Sequence, residues 1–101
     1  MVTNLLKVVI DYEAKLQLRS IYRYIKNDSP ENAEKVRSKI LTSIKELIKY
    51  PEMHAPDKYR LDGDKSYRAY EIYKHRVTYH ISAKEIRIIR IRHSKMNPLE
   101  Y

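Results

Sequence analysis

Ser66-Tyr67-Arg68-Ala69-Tyr70-Glu71-Ile72-Tyr73-Lys74-His75-Arg76-Val77-Thr78-Tyr79-His80-Ile81, followed by Glu85-Ile86-Arg87-Ile88-Ile89-Arg90-Ile91-Arg92-His93-Ser94-Lys95, is the stretch that decides the fold. It holds strand-like runs at Tyr67–Tyr73, Arg76–Ile81 and Glu85–Arg92, each interleaving Tyr, Arg or His with aliphatics. The connections Lys74-His75 and Ser82-Ala83-Lys84 are of hairpin length, so the strands are expected to be consecutive and antiparallel. In the middle run Val77, Tyr79 and Ile81 share one face, the expected core side, while Arg76, Thr78 and His80 share the other. The last run changes parity. Ile86 and Ile88 fall in step with Arg90 and Arg92, whereas Ile89 and Ile91 fall in step with Arg87 and His93. Either this strand is central and covered on both sides, or a bulge re-aims its basic end.

Upstream, Leu5–Ile10 is a nearly continuous apolar run and reads as a first strand. Helix periodicity follows over Asp11–Lys26, with Asp11 as N-cap and Ala14, Leu18, Ile21 and Ile25 on one stripe. Asn27-Asp28-Ser29-Pro30 breaks it. Ser29 then caps a second helix with Pro30 at its first position, where a missing N–H costs nothing. That helix runs to Lys49 or Tyr50, buries Ala33, Val36, Ile40, Ile44 and Leu47, and stops at Pro51. Pro51–Lys65 reads as irregular, with a turn at Asp62-Gly63-Asp64. The expected fold class is α+β in the order β-α-α-β-β-β, an antiparallel twisted sheet packed against an N-terminal αα-hairpin. With one glycine and no low-complexity run, residues 1–101 form a single domain.

The chain carries 21 Lys and Arg against 13 Asp and Glu, a formal net charge of +8. That balance favours an acidic or polyanionic partner. Without cysteine there is no disulfide, thiolate zinc site or Cys nucleophile. No apolar stretch reaches the roughly 18 residues of a membrane span, and Met1–Ile10 lacks a small-residue cleavage site. A cytoplasmic protein without membrane association is expected. The Asp62-Gly63-Asp64 turn lacks the further oxygen ligands of a calcium loop, so no metal and no cofactor are expected. Ten tyrosines stand in place of any Phe or Trp. Most should fill core sites with their hydroxyls at the rim, and two or three should offer stacking surfaces.

Arg90, Arg92, His93 and Lys95 concentrate charge where the sheet ends. Together with Arg68 and Arg76 they would form a phosphate-binding pocket, since Arg supplies planar, multi-donor contacts to phosphate. Arg68, Tyr70, Arg90 and Arg92 are the candidate nucleic-acid contacts. Metal-free RNA cleavage needs a proton carrier and a cation for the phosphoryl oxygens. His93 is the candidate carrier, or else a sheet-end histidine bonded for structure. Arg76 or Lys95 would hold the phosphoryl charge, unless Arg76 is paired with Glu71 across the hairpin.

These residues resemble the RelE/ParE superfamily of bacterial type II toxins. The resemblance runs through Ile21-x-x-Tyr24-Ile25, Asp28-Ser29-Pro30 with Ala33, and Leu47 with Pro51. Its strongest parts are Tyr67-Arg68, Arg76-Val77-Thr78-Tyr79 and Ile88-Ile89-Arg90-Ile91-Arg92-His93. It implies a RelE-like fold and a cognate antitoxin that wraps the toxin in a hetero-oligomer. It implies one of two activities: RelE-like members cut mRNA in the ribosomal A site without metal, and ParE-like members inhibit DNA gyrase and do not cut RNA. Carried over by position, the catalytic set is Arg76, Lys95, Tyr101 and His93. The lysine pair that RelE carries on the preceding strand is absent, Ala69 and Glu71 standing there. The expected activity is a metal-independent, ribosome-dependent mRNA endonuclease. The alternatives are a gyrase inhibitor and a non-catalytic basic nucleic-acid-binding module.

Overall fold

The computed structural model describes residues 6–97 and 99–101. The elements are β1 (Lys7–Ile10), α1 (Tyr12–Lys26), α2 (Pro30–Glu46), β2 (Tyr67–Ile72), β3 (His75–Ile81) and β4 (Glu85–His93). Leu5, expected in the first strand, lies outside the described residues. The strands form one sheet in the order β1-β4-β3-β2. β2–β3 and β3–β4 are antiparallel, but β1 runs parallel to β4, so the sheet is mixed where an antiparallel one was expected. The cause lies in the connection: both helices intervene before β2, so nothing ties β1 to a hairpin neighbour.

Ala14 and Leu18 of α1 are buried, and Ile21 and Ile25 pack at the core margin. Asp11 occupies the N-cap position but makes no side-chain cap bond. Its carboxylate goes to Arg87 on β4 instead. Ser29 does cap α2: its hydroxyl oxygen accepts from the Asn32 N–H at 3.1 Å, with Pro30 starting the helix. The stripe Ala33, Val36, Ile40, Ile44 and Leu47 is buried as its spacing predicts. α2 ends at Glu46, sooner than expected. The N–H groups of Leu47, Ile48 and Lys49 bond back three residues instead of four, tightening the chain before Pro51.

The β2–β3 turn falls on Tyr73-Lys74, one residue earlier than expected, with φ of 48° and 65° at those residues. Two successive positive φ values match the twist of a two-residue hairpin loop. The shift brings His75 into β3 opposite Ile72, where it is buried. The parity change in β4 is a bulge. Thr78 faces Arg90 while Tyr79 faces Ile88, leaving Ile89 as the extra residue. Ile86, Ile88 and Ile91 therefore all point into the helix-covered core, and Arg90 and Arg92 share the opposite face with Arg76. At the bulge the Ile91 N–H donates to Gln17 of α1 at 2.7 Å.

Tyr70 and Tyr79 belong to the core cluster. Each keeps its hydroxyl bonded, Tyr70 to Ser43 at 2.8 Å and Tyr79 to the Pro51 carbonyl at 2.7 Å. Burial pushes both phenols up to about 12. Among the described residues no helix is long and apolar enough to cross a membrane.

Candidate functional site

The sheet has two unlike faces. The helix-free face carries Arg76 on β3 and Arg90 and Arg92 on β4, brought into register by the bulge. Residues 57–59 of the segment between α2 and β2 border it. The backbone of that segment pairs with the β2 edge, the Asp57 N–H donating to Tyr67 O at 2.7 Å and the Ala69 N–H to Ala55 O at 3.3 Å. This strand-like attachment drives Asp57 inward. Its side chain is 1% exposed and accepts from Arg76 at 2.6 Å, from the Tyr59 N–H at 3.1 Å and from the Tyr101 hydroxyl at 2.7 Å. Burial alone would raise the Asp57 carboxyl. The bonds from Tyr101, Arg76 and Tyr59, with the Arg76 charge, overcome it and hold the group below the ordinary carboxylate value. Burial pushes the Tyr101 phenol up, and its bond to Asp57 pushes it further.

Aromatic rings and guanidinium groups layer around this carboxylate. The Tyr101 ring lies between Arg60 and Arg90, with guanidinium carbons 4.9 and 4.4 Å from its centroid. Arg60 also covers Tyr67 at 3.8 Å, and Arg76 covers Tyr59 at 4.9 Å. A small cavity of about 70 Å³ opens between Arg76, Arg90, Arg92, Thr78, Lys58 and Asn97. Among the described residues Arg90 and Arg92 make no ion pair. Arg92 donates to the Asn97 carbonyl at 3.2 Å.

Of the expected catalytic residues, Arg76 and Tyr101 meet, through Asp57. Arg76 ion-pairs with that aspartate, and not with Glu71, although Glu71 is its cross-strand neighbour. His93 lies opposite His75, on the helix-covered side, the two rings edge-to-face at 5.2 Å. Its Nδ1 accepts the Lys95 N–H at 3.0 Å, and Lys95 itself is exposed in the turn after β4. By strand register Arg76 and His93 lie on opposite faces of the sheet, although His93, at the end of β4, also borders the small cavity.

Two of the expected nucleic-acid contacts lie away from the open face. Tyr70 is 9% exposed and stacked on His54 at 4.1 Å. Arg68 lies on the helix side opposite Tyr79 and donates to the His54 carbonyl at 2.7 Å, because the 52–54 loop closes over it. Arg90 and Arg92 remain on the open face. The sequence reading missed Asp57, Tyr59, Arg60 and Gln17. A lone aspartate after a proline in an irregular segment carries no signal that it will be buried. The helix position of Gln17 likewise gives no hint of a bulge to satisfy.

On the helix side a groove of about 940 Å³ runs between α1 and the His75–His93 end of the sheet. Leu16, Ile21, Tyr24 and Ile25 form one wall, Tyr73 and Met96 the other, and Lys74, Arg92 and Lys95 lie at its rim. Leu16, Tyr24, Tyr73 and Met96 are exposed there.

Residues 8–98 match the sequence profile described as "ParE toxin of type II toxin-antitoxin system, parDE". Among solved structures, a chain of "Chromosomal ParDE TA system from P. aeruginosa" superposes with a TM-score of 0.72 at 23% identity, covering 92% of this chain and 100% of that one. A chain of "The structure of YoeB dimer from Staphylococcus aureus" gives 0.55 at 17% identity, covering 88% and 97%. Both likenesses are of fold. No curated protein sequence matches this chain.

Proposed function

This chain belongs to the ParE toxin family of type II toxin–antitoxin systems, and from that premise we propose that it arrests growth in the cytoplasm by binding DNA gyrase and not by cutting RNA. The observation that carries the choice is the Asp57–Arg76 pair at 2.6 Å. An arginine that stabilises phosphoryl charge must meet the phosphate, and this one meets a buried carboxylate. His93, the candidate proton carrier, borders the cavity but packs edge-on against His75, with its Nδ1 accepting the Lys95 N–H. Gyrase inhibition asks for a binding surface and no proton shuttle.

The second reading, ribosome-dependent mRNA cleavage, draws on Arg90 and Arg92, which line the 70 Å³ cavity and make no ion pair among the described residues. One preparation separates the two. Antitoxin-free protein added to purified gyrase is expected to block supercoiling, while primer extension in a purified translation system shows no new RNA ends. Ribosome-dependent cuts with supercoiling intact would reverse the assignment.

The partner that neutralises it is a cognate antitoxin. The apolar groove suits an amphipathic helix, and its Lys74, Arg92 and Lys95 rim favours acidic flanks on that helix.

A further inference from the structure

The open sheet face is occupied by the chain itself. Asp57 spends its carboxylate on Arg76, the Tyr59 N–H and the Tyr101 hydroxyl, and no oxygen of it is left for solvent. Tyr101 is fastened at three further points. Its N–H donates to Tyr59 O at 3.0 Å, its carbonyl oxygen accepts from the Leu61 N–H at 2.5 Å, and its ring sits edge-on to Tyr67 at 5.5 Å. The ring thereby covers one side of Arg90. Carboxylate and phosphate compete for the same planar donors of a guanidinium, and aromatic rings and bases compete for the same stacking faces.

Met96 is 51% exposed and Leu99 46%, so these two residues add few apolar contacts to the bonds that hold Tyr101. Beneath it Arg76, Arg90 and Arg92 form one cationic cluster, flanked by Tyr59, Tyr67 and Lys58.

We propose that Asp57 and Tyr101 form a latch that keeps this arginine face closed, and that the ligand it excludes is the phosphodiester backbone of single-stranded nucleic acid. The cavity takes one phosphate group at a time, and the neighbouring rings offer faces to unstacked bases. The latch uses the same Asp57–Arg76 pair as the gyrase reading but concerns binding and not cleavage, and a surface elsewhere on the molecule can bind gyrase with the face open or shut.

The test is fluorescence anisotropy with a short labelled single-stranded RNA, 2′-O-methylated so that it cannot be cut through its own hydroxyl. Asp57→Asn keeps the side-chain shape but removes the charge. Asp64→Asn, on the same segment but away from Arg76, supplies the same change in net charge. Asp57→Asn is expected to bind about tenfold tighter than wild type at low salt, with a log–log salt slope steeper by about 0.7 for each phosphate newly contacted. Asp64→Asn should gain far less. Tyr101→Ala is expected to tighten binding as well, and adding Arg90→Gln with Arg92→Gln should erase both gains. Equal gains in Asp57→Asn and Asp64→Asn would overturn the latch, as would gains that survive loss of the two arginines. If Asp57→Asn does not fold, Tyr101→Ala decides: binding and slope unchanged from wild type would reject the proposal.

Discussion

Gln17 shows how much one side chain settles. The β4 bulge turns the Ile91 N–H toward α1, and Ile91 is 1% exposed, so water cannot serve it. Gln17 Oε1 accepts that bond at 2.7 Å. Gln17→Leu would fill the same space and leave the N–H unpaired. The expected cost is about 2 kcal/mol, read as a lower urea midpoint with an unchanged slope. Gln17→Glu, which keeps an acceptor, should lose much less. Asp57 presents the opposite case. Asp57→Ala leaves Arg76, 23% exposed, without its counter-charge, and equilibrium unfolding should show a loss of about 3 kcal/mol. Neither residue stood out in the sequence. Arg76, Arg90 and Arg92 did, because arginines alternating with aliphatics mark a strand face whatever the fold. The partner that neutralises Arg76 comes from a segment without periodicity, and only the tertiary fold brings it there.

At the scale of elements, the β2–β3 turn holds a readable strain. Tyr73 and Lys74 both take positive φ, which costs an L-residue with a Cβ roughly 1 kcal/mol each. Replacing them with Asn and Gly, the pair this loop favours, should stabilise the protein by about 1–2 kcal/mol. Differential scanning calorimetry would register a higher Tm, and no rise would mean that Tyr73 contributes packing equal to its strain. This turn also explains a limit of the sequence reading. Alternation located both strands, but neither Tyr73 nor Lys74 is a turn-forming residue type, so the loop was expected one residue late. The helices were legible because stripes such as Ala33, Val36, Ile40, Ile44 and Leu47 repeat at one period over several turns. The end of α2 was not, since Leu47 continues that stripe after the hydrogen bonding has already tightened. The parallel pairing of β1 had no local signature either. Its apolar residues would suit either direction beside β4, and the choice rests on where the two helices deliver the chain.

At the scale of the whole molecule, burial of histidine sets the response to acid. Burial lowers His75 below its ordinary 6.5, the neighbouring His93 adds to this, and the Tyr73 carbonyl opposes it. Burial also lowers His54, with Glu46 opposing. The two histidines lie in different surroundings. His75 is in the floor of the helix-side groove, and His54 stacks on Tyr70 in the loop that covers Arg68. Below pH 6.5 the unfolded chain binds more protons at both positions than the folded one does. Stability is therefore full above 6.5 and falls as the pH drops from there toward the lower folded values. Asp57 acts in a separate window. Its carboxyl is held below the ordinary 3.8, so its contribution is present above 3.8 and is lost as the pH falls further. The +8 charge grows as protons bind, and self-repulsion adds to both losses. Thermal unfolding followed across pH should show a plateau above neutrality, a first descent starting near 6.5 and a second starting near 3.8. His54→Gln with His75→Gln should flatten the first descent and leave the second. Asp57→Asn should do the reverse, at a lower plateau. A first descent that survives the double histidine variant would mean that the charge of the whole chain, and not two buried imidazoles, governs acid stability.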